Sequence, residues 1–266
     1  VFESYARILK WIKSISPLLR QEETVSLVLI ITKFFLFFKG NINTNYIFNK
    51  GEFFMINSID EIKVPDSKIV QDAQKIVQEY GNELIWNHSN RVYLFGEVKG
   101  MQDKLQYDKE LLYITSLFHD LGLTQTYSSD DLRFEVDGAN AVRQFLKNYN
   151  YNERDLQLAW DSIALHTTLG VAEHKENNVA LLYHGVGTDV MGDNWDQYSD
   201  EIRKAIVTKF PRGNFKHDVI KAFYDGFKHK PETTFGNIKS DVIKYFEPEY
   251  PQNNFCSCIL RSKWDS

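Results

Sequence analysis

Leu111-Leu112-Tyr113-Ile114-Thr115-Ser116-Leu117-Phe118-His119-Asp120-Leu121-Gly122 is an apolar run that closes on an adjacent histidine and aspartate. The run reads as a largely buried helix starting around Asp108, and Gly122 is the natural residue to stop it. Consecutive helical residues point about 100° apart. Both polar side chains can therefore serve one ion only where the helix ends beside a cavity. A neutral imidazole next to an anionic carboxylate suits a borderline divalent metal such as zinc, iron or manganese. A capping Asp beside a half-buried His accounts for the dipeptide equally well, so the rest of the chain has to decide.

Outward from this stretch the periodicity is helical. Pro65-Asp66-Ser67 opens a helix with Ile69, Val70, Ala73, Ile76, Val77 and Tyr80 on its apolar side and Gly81 as its stop. The helix holding His88 follows and ends near Lys99-Gly100. Further helical patterns run over 138–149, 153–166, 179–183, 199–210, 215–227 and 238–246. There is no βαβ alternation, no hairpin pair and no internal repeat. The chain from residue 55 to 266 is expected to be one all-α domain.

Two more candidates stand in helix-like segments of their own: His88 in Trp86-Asn87-His88-Ser89-Asn90-Arg91-Val92, and Asp189 in Tyr183-His184-Gly185-Val186-Gly187-Thr188-Asp189-Val190-Met191-Gly192. The order His … His-Asp … Asp resembles the ligand pattern of the HD superfamily of metal-dependent hydrolases. Asn87-His88-Ser89-x-Arg91-Val92, Phe118-His119-Asp120, Phe134-Glu135, Phe210-Pro211-Arg212 and Lys230-Pro231 are similar to the cyanamide hydratase branch of that superfamily. The resemblance covers about residues 60–262. It implies an HD-domain helical bundle around a buried site. It also implies one divalent ion, zinc first with iron or manganese as alternatives, on His88, His119, Asp120 and Asp189.

Two histidines and two carboxylates leave an ion partly neutralised, with room for water or substrate. Such an ion lowers the pKa of its bound water from about 15.7 to about 7. Metal-bound hydroxide attacking an electrophilic carbon or phosphorus is then the reaction class. It needs a proton relay. His166, in Ala164-Leu165-His166-Thr167-Thr168, closes an amphipathic helix where relatives carry another histidine, and is the leading relay; a satisfied core histidine is the alternative. Glu135 is the second catalytic candidate, orienting a ligand or binding substrate, unless it is a first-turn acid favoured by the helix dipole. Arg91, three residues after His88, reaches either an anionic substrate or an acid of the chain. His174, His184, His217 and His229 read as structural or surface residues.

Many superfamily phosphohydrolases carry a lysine three residues after the Asp; here Leu123 stands there. No Gly-rich phosphate loop is present. Trp86, Tyr93, Phe95, Tyr113, Phe118 and Phe134 suggest a small, dry pocket, which tilts the expectation toward a small uncharged substrate. The expected activity is water addition to the carbon of a small nitrile, cyanamide giving urea. An HD-type phosphohydrolase of a nucleotide or small phosphomonoester is the enzyme alternative. A metal-binding scaffold or sensor without catalysis is the alternative from another class.

Composition fits an ordinary intracellular enzyme: 266 residues, 43% hydrophobic, net charge −5. That charge gives no general attraction to nucleic acid or to anionic membranes. The expected partner is a small-molecule substrate, with monomer and homo-oligomer both open. Cys256 and Cys258 are too close for a mutual disulfide or a zinc site and read as free thiols in a reducing, cytoplasmic setting. Residues 1–54 do not fit the rest. Residues 25–38 are strongly apolar but only 14 in number and include Lys33, whereas a membrane span needs about 20. They read as a helix packed on the domain or as added sequence outside the functional protein, ahead of a membrane-surface or targeting extension. Residues 41–50 read as linker.

Overall fold

A computed structural model describes residues 58–251 together with Asn254, Cys256 and Cys258. The readings of 25–38 and 41–50 lie outside these residues. The described elements are α1 (Lys68–Tyr80), α2 (Glu83–Gln102), α3 (Lys109–Phe118), α4 (Phe134–Lys147), α5 (Glu153–Leu165), α6 (Asn177–Met191), α7 (Asp200–Lys209), α8 (Phe215–Phe227) and α9 (Lys239–Phe246), with short 3₁₀ turns between several of them. No strand occurs among the described residues, so the all-α expectation holds. Among the described residues no helix is long and apolar enough to cross a membrane.

Local chemistry sets most helix starts. Ser67, Asn82, Asp108, Asn152 and Ser199 each accept a hydrogen bond from the backbone N–H three residues on. Each satisfies one of the donors a helix start leaves unpaired. Gly81 ends α1 as expected. Two boundaries differ from the sequence reading. α4 starts at Phe134 rather than Gly138, which puts Glu135 in its first turn. α6 runs through Gly185 and Gly187 to end at Gly192, whose φ of 77° supplies the left-handed stop.

Gly122 does not stop α3. That helix ends at Phe118, and Gly122 lies within the turn Leu121–Leu123. A Cβ at Gly122 would collide with the carbonyl oxygen of Phe134. The glycine therefore serves the close approach of α4 and not a left-handed backbone.

α3 is buried along Leu111–Phe118, and α2 is its equally buried neighbour. α2 has charge and polarity on all sides, yet His88, Asn90, Arg91 and Glu97 are all inside. A helix of this kind is a core element whose polar groups must find partners within the fold. It crosses α6 through two reciprocal glycine contacts. A Cβ on Gly96 would press on the Leu181 carbonyl, and a Cβ on Gly185 would collide with the Val92 carbonyl. The two backbones are thereby brought close enough for α6 to deliver Asp189 behind His88. α8 and α9 close the other side, where Phe227 and Ile243 bury Phe134. Lys230, fully buried, anchors them: its Nζ donates to Asp137 at 2.7 Å, to Ser128 Oγ at 2.9 Å and to the Ser129 carbonyl at 2.9 Å.

Gly185→Ala gains helix propensity of up to about 1 kcal/mol but wedges α2 from α6. We expect a net loss of about 2 kcal/mol from overpacking, measured by denaturant unfolding. An unchanged or raised midpoint would show that the close crossing is not required.

Candidate metal centre

Four helices bring side chains to one buried point. α2 carries His88, the chain leaving α3 carries His119 and Asp120, the end of α5 carries His166, and α6 carries Asp189. His119 still has α-helical angles (φ −58°, ψ −34°), whereas Asp120 (φ −103°, ψ 3°) begins the next turn. Departure from the helix at that step lets neighbours that would diverge on a helix share one location. The Asp120 carboxylate is the centre of the group. Its Oδ2 lies 3.3 Å from His119 Nε2 and 3.6 Å from His88 Nε2, and its Oδ1 lies 3.8 Å from His166 Nε2. All four residues are at most 3% exposed.

The imidazoles are oriented from behind. His119 Nδ1 donates to the Ser116 carbonyl and His166 Nδ1 to the Ile163 carbonyl, both at 2.6 Å. His88 Nδ1 donates to Asp189 Oδ2 at 2.7 Å. With each Nδ1 carrying the proton, each Nε2 turns a lone pair toward Asp120. Two of the converging atoms, His119 Nε2 and Asp120 Oδ1, are buried without any hydrogen-bond partner. Orphaned acceptors at one point are costly unless a cation or a proton is shared there. His88, His119 and Asp120 offer ligand atoms within 4.8 Å of one another, and an N,N,O set of this kind suits a borderline divalent ion. The residues fit a metal.

The electrostatics agree. Burial lowers His88 against the opposing pull of Asp189, and burial with help from His119 lowers His166 to about 4. Burial would raise Asp120, but His119, His88 and His166 outweigh it and hold the carboxyl well below its usual range. His119 is raised: burial pulls it down, and Asp120 overrides that pull. Both shifts mark the space between His119 and Asp120 as one that favours positive charge.

Asp189 is on the other edge of the His88 ring, outside the three-residue group. Besides His88, Arg91 Nε donates to its Oδ1 at 2.8 Å and Arg91 Nη2 to its Oδ2 at 2.9 Å. Arg212 Nη1 also donates to Oδ1. Burial would raise this carboxyl, but the His88 and Arg91 hydrogen bonds bring it to about 2. Arg91 therefore pairs with an acid of the chain, and its Nη1 holds the carbonyls of Phe210 (3.2 Å) and Pro211 (3.0 Å).

Glu135 accepts from Arg133 Nη2 at 2.9 Å, from Thr167 Oγ1 and from the buried Lys239. Burial opposes its ionisation, but Lys239 and Arg133 bring it to about 2, while burial lowers Lys239 to about 8 against the pull of Glu135. An acid so placed stays ionised near neutral pH, and it favours the charged form of His166. Lys239 gave no motif signal in the sequence.

The aromatic reading needs correction. Tyr93 packs on Tyr113 with ring centroids 4.6 Å apart, Phe95 packs on Tyr198, and Phe118 on Phe145. These rings are core. Phe134 does face His166, at 5.6 Å, and the unanticipated Phe215 lies 5.1 Å from the His88 ring. His174, His217 and His229 are exposed, as expected for surface residues.

Residues 85–207 match the family model of the HD domain. Over that stretch, somewhat under half of its length, the chain is similar to HD domains. The matched span contains His88, His119, Asp120, His166 and Asp189 and stops short of Arg212, Phe215 and Lys239. A protein of Clostridium beijerinckii described as uncharacterized is 26% identical over 97 residues, 36% of this chain and 58% of that protein. The aligned stretch thus covers less than two thirds of that relative.

A carboxyl with a depressed folded pKa stabilises the fold above its unfolded value, and the contribution is lost as pH falls through the folded one. For Glu135 the window is from 4.5 down to about 2. Wild type should lose stability across that interval more steeply than Glu135→Gln, followed by denaturant unfolding at each pH. Equal slopes would mean that Glu135 is not held ionised by Lys239 and Arg133.

Proposed function

We propose that the protein is a metal-dependent hydratase of a small uncharged nitrile, in the manner of cyanamide hydratase, with cyanamide and water giving urea. The observation that carries the metal is the convergence of the His88, His119 and His166 Nε2 atoms on Asp120, with His119 Nε2 and Asp120 Oδ1 left without a hydrogen-bond partner. In this reading His88, His119 and Asp120 hold one divalent ion, zinc first. Asp189, expected from the sequence as a fourth ligand, instead orients His88, because both its oxygens already accept from donors of the chain. A hydrogen-bonded carboxylate behind a ligating histidine fixes the ring and raises its basicity. The ion, when bound, supplies a Lewis acid that makes water a nucleophile near neutral pH.

The chain's own residues do the rest. His166 presents a free Nε2 beside Asp120 and takes the proton that water gives up. It then returns that proton to the nitrogen of the substrate, so one water is added across the C≡N bond to give isourea, whose O–H proton moves to the same nitrogen to form urea, and nothing leaves. Glu135 and Thr167 steady this end of the site, and Glu135 favours the charged form of His166 during the transfer.

An uncharged substrate is favoured by where the nearby cations go. Arg91 and Arg212 are engaged by Asp189, Arg133 and Lys239 by Glu135, and Lys230 by Asp137. Leu123 packs against Gly226 of α8, where a phosphate-binding lysine would have stood. One observation favours the alternative phosphohydrolase: the Arg212 side chain is 28% exposed, so it has donors left for an anion.

Zinc-loaded protein should release urea from cyanamide. His119→Ala should reduce this by more than the roughly 10–100-fold that losing an outer partner costs, with parallel loss of bound zinc. Phosphate release from a phosphomonoester, lost in the same variant, would replace the substrate and keep the centre. Unfolding on metal removal, with no turnover of either class, would leave a scaffold.

A further inference from the structure

A cleft of about 550 Å³ opens beside the starts of α2 and α8. Asn87, Arg212 and Ala222 line it, and so do the buried Arg91 and Phe215. His88 is not part of the lining, yet it is the next layer in. The Phe215 ring, 2% exposed, lies 5.1 Å from the His88 ring at an interplanar angle of 40°. Phe215 is therefore one aromatic layer with the cleft on one side and a proposed metal ligand on the other.

The ring is held there by charge. Arg91 Cζ is 4.7 Å and Arg212 Cζ 4.4 Å from its centroid, within range for cation–π attraction. Asp189 accepts a hydrogen bond from each guanidinium. The carboxylate that orients His88 thus also fixes the partition beside it.

We infer that Phe215 is a specificity-determining residue: its ring separates the cleft from the His88 side of the centre and limits what reaches that centre to molecules of nitrile size. The inference rests on the reading that His88 holds a metal. Removal of the ring joins the cleft to the centre, so reagents too large for the closed site gain access through the cleft. Filling the cleft outside the ring reverses that gain.

The test is the rate at which 1,10-phenanthroline withdraws zinc from the loaded full-length protein. Phe215→Ala should lose zinc at least about tenfold faster than wild type, as expected when a local barrier to opening is removed. Adding Ala222→Phe, at a half-buried position of the cleft wall, should bring the rate back toward wild type. Phe215→Leu, which keeps most of the buried volume, should fall between and serves if the alanine variant does not fold. The ratio of phenylcyanamide to cyanamide turnover should rise in the same order. Equal extraction rates in zinc-loaded wild type and both Phe215 variants would overturn the partition. So would an acceleration that Ala222→Phe leaves untouched, since that marks general loosening. Wild type that binds no zinc removes the metal reading itself, and the partition with it.

Discussion

The Asp189 carboxylate is the contact through which the other parts of the site are placed. It is buried on α6, where an unpaired charge would be expensive, and its oxygens accept from His88, Arg91 and Arg212. Those donors come from two separate places, α2 and the segment before α8. Arg91 extends the connection by holding the Phe210 and Pro211 carbonyls. One anion thereby sets the rotation of the His88 imidazole, the path of the 210–212 segment and, through both guanidiniums, the position of Phe215. The glycine crossing of α2 and α6 is its precondition, since helices kept farther apart would separate Asp189 from His88.

The same logic recurs at lower stakes. Lys239 on Glu135 and Lys230 on Asp137 fasten α9 and the turn after α8 to α4 through buried ion pairs. Such pairs add little net stability compared with an apolar contact of the same shape, but removing one partner costs about 3–5 kcal/mol because the other is left charged and buried. Their effect is to select an arrangement. A greasy surface on α8 and α9 could settle against Phe134 in several registers, whereas a lysine that must find a particular carboxylate can settle in few. Arg212, Lys230 and Lys239 all lie beyond the HD match, so the segment outside it supplies cations that the matched segment's acids require.

Much of this was legible in the sequence, and the reasons are local. Cap residues and helical periodicity are short-range signals, which is why α1, α3, α7 and α8 begin where Ser67, Asp108, Ser199 and the apolar spacing place them. His119 and Asp120 stand out because an adjacent ionisable pair closes an apolar helix, whereas His88, Asp189 and His166 are singled out by their match to the HD pattern. What the sequence did not carry was pairing across long separations. Nothing near Lys239 in the chain announces Glu135, which is more than a hundred residues away. Arg91 was ambiguous between substrate and acid until α6 supplied Asp189. The aromatic set failed for the opposite reason: Tyr93, Phe95, Tyr113 and Phe118 neighbour the motifs along the chain, but helical geometry turns them into the core. Phe215, distant in sequence, is the ring that reaches His88.

A centre with bare lone pairs works against its own fold. Three imidazoles converge on a buried carboxylate, and two of the converging atoms, His119 Nε2 and Asp120 Oδ1, give up hydration without a replacement inside the protein. The field of Asp120 favours positive charge at His119, against the pull of burial. In the proposed reading a divalent ion held by His88, His119 and Asp120 would relieve the same cost, so that binding would stabilise the fold. That tension explains why the surroundings are so heavily cross-braced. The Ser116 and Ile163 carbonyls, Asp189 with its arginines, and Glu135 with its lysine all act on the outer side of this cluster. They keep the imidazoles aimed at Asp120 when their own repulsion and desolvation would turn them away.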